Sequence, residues 1–389
     1  MFRKSFQKNL MFVILCFLVT GCSEAALTST PTIAPVASPA QEETITLTLA
    51  VADEPGVPST PYVLEFIEQV KRLSNGKMIV KPLWRGGDVV GGDALDIDYE
   101  VGVIRRVMMG GADLGFAASR SWDTENITSF QALQAPFLID NDALAKAVAT
   151  SDIATQMLDD LSLAGVVGLT LWPEDLRHPF SRVPDKPLLS PEDFAGLNIR
   201  ETESEVTIRL IEALGGIPGW EGNDYQGAES GLRQGYSLIG KPTATGNITF
   251  FAKFQVLVAK GATFEKLNEK QRAVLREAAE AAQRKAIAEH MSEFDAASAW
   301  CADGGTIVMA SDKQVAAFEQ AAQPVYDWIE QDSLNAELIA AIRALKADTE
   351  PSPGAEACSP VVAQQDSEPD KSPEVWTEGL PPNGIWQVE

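Results

Sequence analysis

The sequence predicts an α/β fold. Three observations point to it. Strand-like and helix-like segments alternate along most of the chain. Several of the strand-like runs are apolar almost throughout, as strands covered by helices are. The segments are punctuated by Gly pairs and Asn-Gly steps, where turns belong. With 389 residues and 45% apolar content, the chain can bury the core of about two domains.

The folded body is expected from 44 to 348. Ile45 to Val51 reads as a β-branched strand ending at a Pro/Gly-rich loop, Asp53 to Pro58. Tyr62 to Leu73 carries Phe66, Val70 and Leu73 at helical spacing and stops near Asn75-Gly76. Met78 to Leu83 is a second strand, Val101 to Met108 a helix, Leu114 to Ala117 a short strand and Asn141 to Leu161 a helix. Val166 to Trp172 is a strongly apolar strand. Leu197 to Arg200 and Ile248 to Ala259 are further strands, with a helix from Glu203 to Leu214 between them. From Asn268, a good N-cap, nothing breaks a helix before Gly304-Gly305. One unbroken helix would be roughly 50 Å long and would span both lobes. The alternative is two helices with a kink near Glu289. Thr306 to Met309 and Lys313 to Ile329 complete the body as a strand and a helix.

The first residues read as an export signal. Arg3, Lys4 and Lys8 precede an apolar run from Leu10 to Val19, and Val19-Thr20-Gly21-Cys22 follows. The run is too short to span a bilayer, and the closing tetrapeptide looks like a lipobox with Cys22 as the lipidated residue. The alternative is an ordinary cleaved signal with an incidental cysteine. Residues 1–22 are thus signal and lipobox, 23–43 a disordered Ser/Thr/Pro/Ala tether, and 349–389 an acidic, mostly disordered tail carrying Trp376 and Trp386. This predicts an extracytoplasmic protein anchored to membrane lipid, with no spanning segment. Cys301 and Cys358 remain for a disulfide, which export favours; two free thiols are the alternative.

Basic residues number 31 and acidic ones 55, a net charge of −24, which disfavours nucleic acid as a partner. No nucleophile elbow, zinc-protease helix, phosphate loop or dinucleotide fingerprint occurs, and only His178 and His290 are available to a metal. No cofactor or metal is expected, and no enzyme activity has positive support. Two arginines stand out: Arg177 in LWPEDLRHPF, and Arg200 closing PEDFAGLNIR at a strand end. A guanidinium at such a position can hold a carboxylate by two parallel hydrogen bonds.

Several ordered pieces carry a family resemblance: Ser74-Asn75-Gly76-Lys77-Met78, Gly91-Gly92-Asp93, Met109 to Gly115, Ala135-Pro136-Phe137-Leu138, Pro191 to Arg200, and Leu214 to Pro218. Their order resembles the substrate-binding subunit of tripartite ATP-independent periplasmic (TRAP) transporters, of the dicarboxylate-receptor (DctP-like) type. The resemblance implies a two-lobed periplasmic-binding-protein-like fold, with Val166 to Trp172 and Ile248 to Ala259 as hinge strands. It divides the body into 44–165 plus 220–247 as one lobe and 166–219 plus 248–348 as the other. It implies a small organic acid as ligand, TRAP membrane subunits as partners, and a salt bridge from Arg200 to the ligand carboxylate. Arg177, Ser119, Trp122 and Trp172 fall where members contact ligand, and Asn247 stands in for a contact in a stretch between Gly235 and Ile248 that looks shortened. The acid expected after Gly231 is missing, since Gln234 stands there. A sensing lipoprotein with the same binding chemistry, or an exported enzyme on the same fold, are the alternatives.

Overall fold

The computed structural model describes residues 44–88, 99–201, 204–219, 224–234 and 241–359. Cys22, the signal, the tether, the Gly91-Gly92-Asp93 turn and the two tail tryptophans lie outside the described residues.

In chain order the elements are β1 (Ile45–Val51), α1 (Thr60–Leu73), β2 (Met78–Leu83), α2 (Tyr99–Met108) and β3 (Leu114–Ala118). Two 3₁₀ turns follow, Ser119–Glu125 and Ser129–Gln134, then α3 (Asp142–Ala149), α4 (Asp152–Asp160) and β4 (Val166–Ser181). The second half contains β5 (Asn198–Arg200), α5 (Glu205–Ala213), β6 (Ile217–Gly219), β7 (Gly227–Ser230), β8 (Thr243–Thr245) and β9 (Phe251–Lys260). It closes with α6 (Gly261–Lys266), α7 (Glu269–Glu289), α8 (Glu293–Ala302), β10 (Thr306–Val308), α9 (Asp312–Ile329) and α10 (Ser333–Asp348).

The strands run in the order β2-β1-β3-β9-β4-β7-β5-β6, with β8 joining β4 to β10. Strands β1, β2 and β3 are parallel, as are β5, β6 and β7, while β9 runs antiparallel to both β3 and β4. Strand β4 belongs to both lobes. Its first part pairs with β9 in the first sheet, and His178 to Ser181 pair with β7 in the second. At 16 residues it outruns the expected hinge strand and carries Arg177 inside it.

One face of the first sheet is covered by α1 and α7, which bury Phe66, Val70, Leu275 and Ala282 against Leu49, Phe116 and Leu257. The other face packs on α2, the 3₁₀ turns, α3 and α4, and this core continues into α5, α9 and α10 around Phe194, Phe250 and Phe318. A third cluster joins Phe180, Ala228 and Leu232 of the second lobe to Ala296 and Trp300 of α8.

Four expectations need correction. The single long C-terminal helix is not formed, and the alternative of two helices with a break near Glu289 is what occurs: α7 ends at Glu289, His290 leaves helical geometry, and Ser292 caps a new helix by accepting a hydrogen bond from Asp295 N. The predicted 141–161 helix is likewise two, because Ser151 is extended. Residues 224–234 lie with the second lobe, not the first, since β7 pairs with β5 and with the end of β4. The tail begins packed: Ser352 accepts a hydrogen bond from Ala143 N at 3.2 Å, Ala355 is buried, and Cys358 bridges to Ile307. Cys301 and Cys358 form a disulfide, fixing the chain at residue 358 onto the end of α8.

Candidate functional site

Parallel strands leave their carboxyl ends open at the crevice of an α/β protein. Here Asp53 follows β1, Ser119 and Arg120 follow β3, and Arg200 and Glu201 close β5. Strands β4 and β9 pass beneath, bringing Glu174, Asp175, Arg177, Lys253 and Gln255 to the same region. The result is a buried charge network at the junction of the lobes.

Arg120 is its centre. It donates to both carboxylate oxygens of Glu100, at 3.1 and 3.2 Å, and to Glu229 Oε1 across the lobes at 2.9 Å. Arg177 donates from all three of its nitrogens within the chain: to the Glu229 carboxylate, to Glu229 O at 3.0 Å and to Gln234 Oε1 at 2.8 Å. Lys253 lies 2.8 Å from Glu174 and 3.4 Å from Glu100, and Gln255 donates to Glu174 at 2.9 Å. Arg233 pairs with Asp175. Burial of ions on this scale is tolerated only when each has an opposite partner. Arg120, Arg177, Arg233 and Lys253 stand against Glu100, Glu174, Asp175 and Glu229.

The titration of the network follows from these pairs. Burial pushes Glu100 and Glu229 upward, but the adjacent guanidinium groups outweigh it and hold both well below the usual carboxylate range. Burial lowers Lys253, yet Glu174 and Glu100 more than reverse this and raise it. The acids at the rim behave oppositely. Burial lifts Asp53 to about 6, and burial reinforced by Glu229 lifts Glu201 to about 7. Four buried oxygens of the network, Glu174 Oε1, Asp175 Oδ2, Glu201 Oε2 and Gln255 Oε1, accept no hydrogen bond from the described residues.

The predicted site residues separate. Arg200 is half-buried at the end of β5, in register with Gly219 and Ala228, and its charge helps hold Glu229 low. Ser119 is buried at the carboxyl end of β3. Arg177 reaches the junction, but its nitrogens serve Glu229 and Gln234. Trp172 does not reach it: the ring is 1% exposed and packs on Phe116 (5.0 Å) and Tyr62 (6.4 Å) in the core under α1 and α7. Trp122, also 1% exposed, sits in the core on the other face of the sheet. Asn247 clamps a turn, donating to Ala310 O at 2.8 Å and accepting from Ala310 N at 2.7 Å. Glu100, Arg120, Glu174, Glu201, Glu229 and Lys253 were not foreseen; Asp53 lies in the loop after β1, where the family resemblance implies ligand contacts.

The two histidines pair with acids away from the lobe junction: His178, next to Arg177 on β4, turns to Glu293 at the start of α8, and His290 lies at the α7–α8 break. His178 Nε2 faces Glu293 Oε1 at 2.7 Å while Nδ1 faces Ile248 O at 2.8 Å. Two acceptors favour the imidazolium. Burial opposes the charge, but Glu293 and the two hydrogen bonds raise the ring above its usual value of 6.5. The stabilisation from a raised folded value is complete below pH 6.5 and is lost as pH rises through that raised value. The urea midpoint is therefore expected to fall as pH rises above 6.5, and His178→Gln to flatten that slope. Identical slopes for both proteins would remove His178 from the account. His290 Nε2 lies 3.0 Å from Asp142 Oδ1. Among the described residues no cluster of His, Cys, Asp and Glu is placed to hold a metal ion, and no helix is long and apolar enough to cross a membrane.

The model of the family described as "Bacterial extracellular solute-binding protein, family 7" (DctP) matches residues 96–219 and 244–332, over half of the chain. The chain belongs to this family. Among similar members, a solute-binding protein of Chromohalobacter salexigens is 24% identical over 212 residues, which cover 51% of this chain and 62% of that one. A TRAP periplasmic solute-binding protein of Ralstonia eutropha, solved with bound (S)-2-acetolactate, superposes with a TM-score of 0.66 at 18% identity. That alignment covers 78% of this chain and 99% of the other. The sugar-acid-binding protein DctPAm of Advenella mimigardefordensis, solved with galactonate, gives 0.65 at 18% identity, over 79% and 99% of the two chains. These likenesses establish the two-lobed family 7 fold for the chain.

Proposed function

We propose that this family 7 protein is the extracytoplasmic receptor of a TRAP-type secondary transporter. It is anchored to membrane lipid through Cys22 and captures a small hydroxylated monocarboxylate for delivery to the membrane subunits. The observation that carries the ligand class is Glu229. This carboxylate of the chain already occupies Arg177 and Arg120, as a second ligand carboxylate would. Arg200, at the adjacent strand end, then takes the single carboxylate of the ligand. Ligand hydroxyls donate to the acceptor oxygens of Glu174, Glu201 and Gln255. The ligands named for the Ralstonia and Advenella proteins, acetolactate and galactonate, are both hydroxylated monocarboxylates.

Two lobes sharing β4 can approach over such a ligand. Their approach excludes water from the Arg200–carboxylate pair, which in open solvent would contribute little. Uptake driven by an ion gradient requires no nucleotide site on this chain. Calorimetry against galactonate, glucuronate, acetolactate and succinate tests the reading. The monocarboxylates are expected to bind more tightly than succinate. Arg200→Ala is expected to weaken the best ligand by at least about 100-fold, the scale of removing one partner from a desolvated charge pair. Equal affinities for wild type and variant would take Arg200 out of the site.

A further inference from the structure

Glu201 follows Arg200 at the open end of β5 and is 5% exposed. The Ser204 amide, ahead of α5, donates to its carboxyl group, but Oε2 is enclosed and accepts no hydrogen bond from the described residues. The charges that face it come from three elements. Glu229 on β7 repels it, while Arg120 in the turn after β3 and Arg200 on its own strand attract it. Arg120 is shared with Glu100 and Glu229, so burial and the neighbouring acid prevail and lift Glu201 to about 7. The other buried acids of the network differ. Against burial, their cations hold Glu100, Glu174 and Glu229 low, and these three remain acceptors at neutral pH. Burial raises Asp175, but it is paired with Arg233. Glu201 is thus a buried carboxyl with an unused oxygen, next to the arginine assigned to the ligand.

We propose that Glu201 is a specificity-determining residue that tells a carbonyl oxygen of the ligand from a hydroxyl, its protonated carboxyl donating to 2-oxo acids. The inference rests on the reading that places the ligand carboxylate on Arg200. The carbon next to that carboxylate then brings its oxygen substituent toward the neighbouring residue. Ser204 N occupies one carboxyl oxygen, so the proton of the acid form belongs on Oε2. A ligand hydroxyl meets either form, donating to the carboxylate and accepting from the acid. A ligand carbonyl only accepts. Against the ionised form it would set two acceptors face to face in a site without water, with no proton between them. Capture of a 2-oxo acid therefore takes up a proton from solvent, and capture of a 2-hydroxy acid requires none. The preference of the receptor shifts toward 2-oxo acids as the medium acidifies.

Titration calorimetry with two matched pairs, lactate with pyruvate and gluconate with 2-oxogluconate, at pH 6 and pH 8 is the test. For whichever pair binds, the affinity ratio of oxo acid to hydroxy acid is expected to fall about tenfold from pH 6 to pH 8, following the protonated fraction of a group that titrates at about 7. At pH 8, runs in buffers of different ionisation enthalpy should show about one more proton taken up per oxo acid than per hydroxy acid. Glu201→Gln keeps the shape and supplies a permanent amide donor. It should hold the oxo acid at its pH 6 affinity up to pH 8 and cancel the difference in proton uptake. Arg200→Ala separates the two readings, since it should weaken both members of a pair at both pH values. An unchanged ratio in the wild type, with capture still dependent on Arg200, would overturn the role of Glu201 and leave the ligand site standing. A shift of the ratio that persists in Glu201→Gln would overturn it too, and would move the titrating group to Asp53, Asp123 or Asp175. Failure of both pairs to bind the wild-type protein would remove these monocarboxylates as ligands, and the inference with them.

Discussion

Replacing Arg177 with alanine is expected to destabilise the protein by about 3–5 kcal/mol, the loss that follows when one partner leaves a buried ion pair. The reason lies in Glu229. Its carboxylate is fully enclosed and is held low by Arg177 and Arg120 together. Without Arg177, Glu229 keeps Arg120 as its hydrogen-bonded cation, which Glu100 shares, and the Gln234 oxygen and the Glu229 carbonyl lose the Arg177 donor. The double variant Arg177→Met with Glu229→Gln removes charge in a balanced way and should recover much of the loss. Urea unfolding of the two single variants and the double variant measures the coupling. Arg200→Ala is the contrast: half-buried, and one of three cations acting on Glu229, it should lower the midpoint by less than Arg177→Ala does while weakening capture at least about 100-fold. If Arg177→Ala unfolds at the wild-type midpoint but loses ligand, Arg177 is a ligand residue and the structural assignment fails.

The contrast between these arginines marks where the sequence was informative. Alternation of apolar strands with helices foretold the α/β class, and the run from Pro191 to Arg200 located β5 and its terminal guanidinium. Both depend on local pattern. Glu229 does not: it is 52 residues from Arg177, on a four-residue strand too short to show periodicity. Only folding of the second sheet brings it beside β4. Signals for the rest of the network were present but unread. Lys253 and Gln255 interrupt an apolar strand, and Glu174 and Asp175 interrupt another; a charge inside a covered strand has to find a partner there.

Trp172 does not reach the network because its ring packs on Phe116 and Tyr62 in the α1–α7 core. The register of β4 against β9 shifts between Pro173 and Leu176, so proximity in sequence to Arg177 carried no spatial meaning. The broken helix was also readable. Ser292 followed three residues later by Asp295 is a start signal, and its hydroxyl hydrogen-bonds the Asp295 carboxylate at 2.6 Å.

Cleaving the Cys301–Cys358 bond is expected to lower stability by about 4 kcal/mol, the chain-entropy value for closing a loop of this length. The two cysteines are 57 residues apart in sequence, and the loop between them contains α9 and α10. These helices connect the lobes: α9 packs Phe318 against Phe194 and Phe250, while α10 buries Asn335, whose amide donates to Gln131 beside β9. Tying the end of this excursion back to α8 restricts the unfolded chain and also holds the 349–358 segment on the β8–β10 edge. Cys358→Ser should therefore lower the midpoint, and the same drop should appear when wild-type protein is unfolded in reductant. The effect should be confined to stability if the bond is a staple alone. An unchanged midpoint in both experiments would show that packing of residues 349–358, and not the bond, holds this end of the chain.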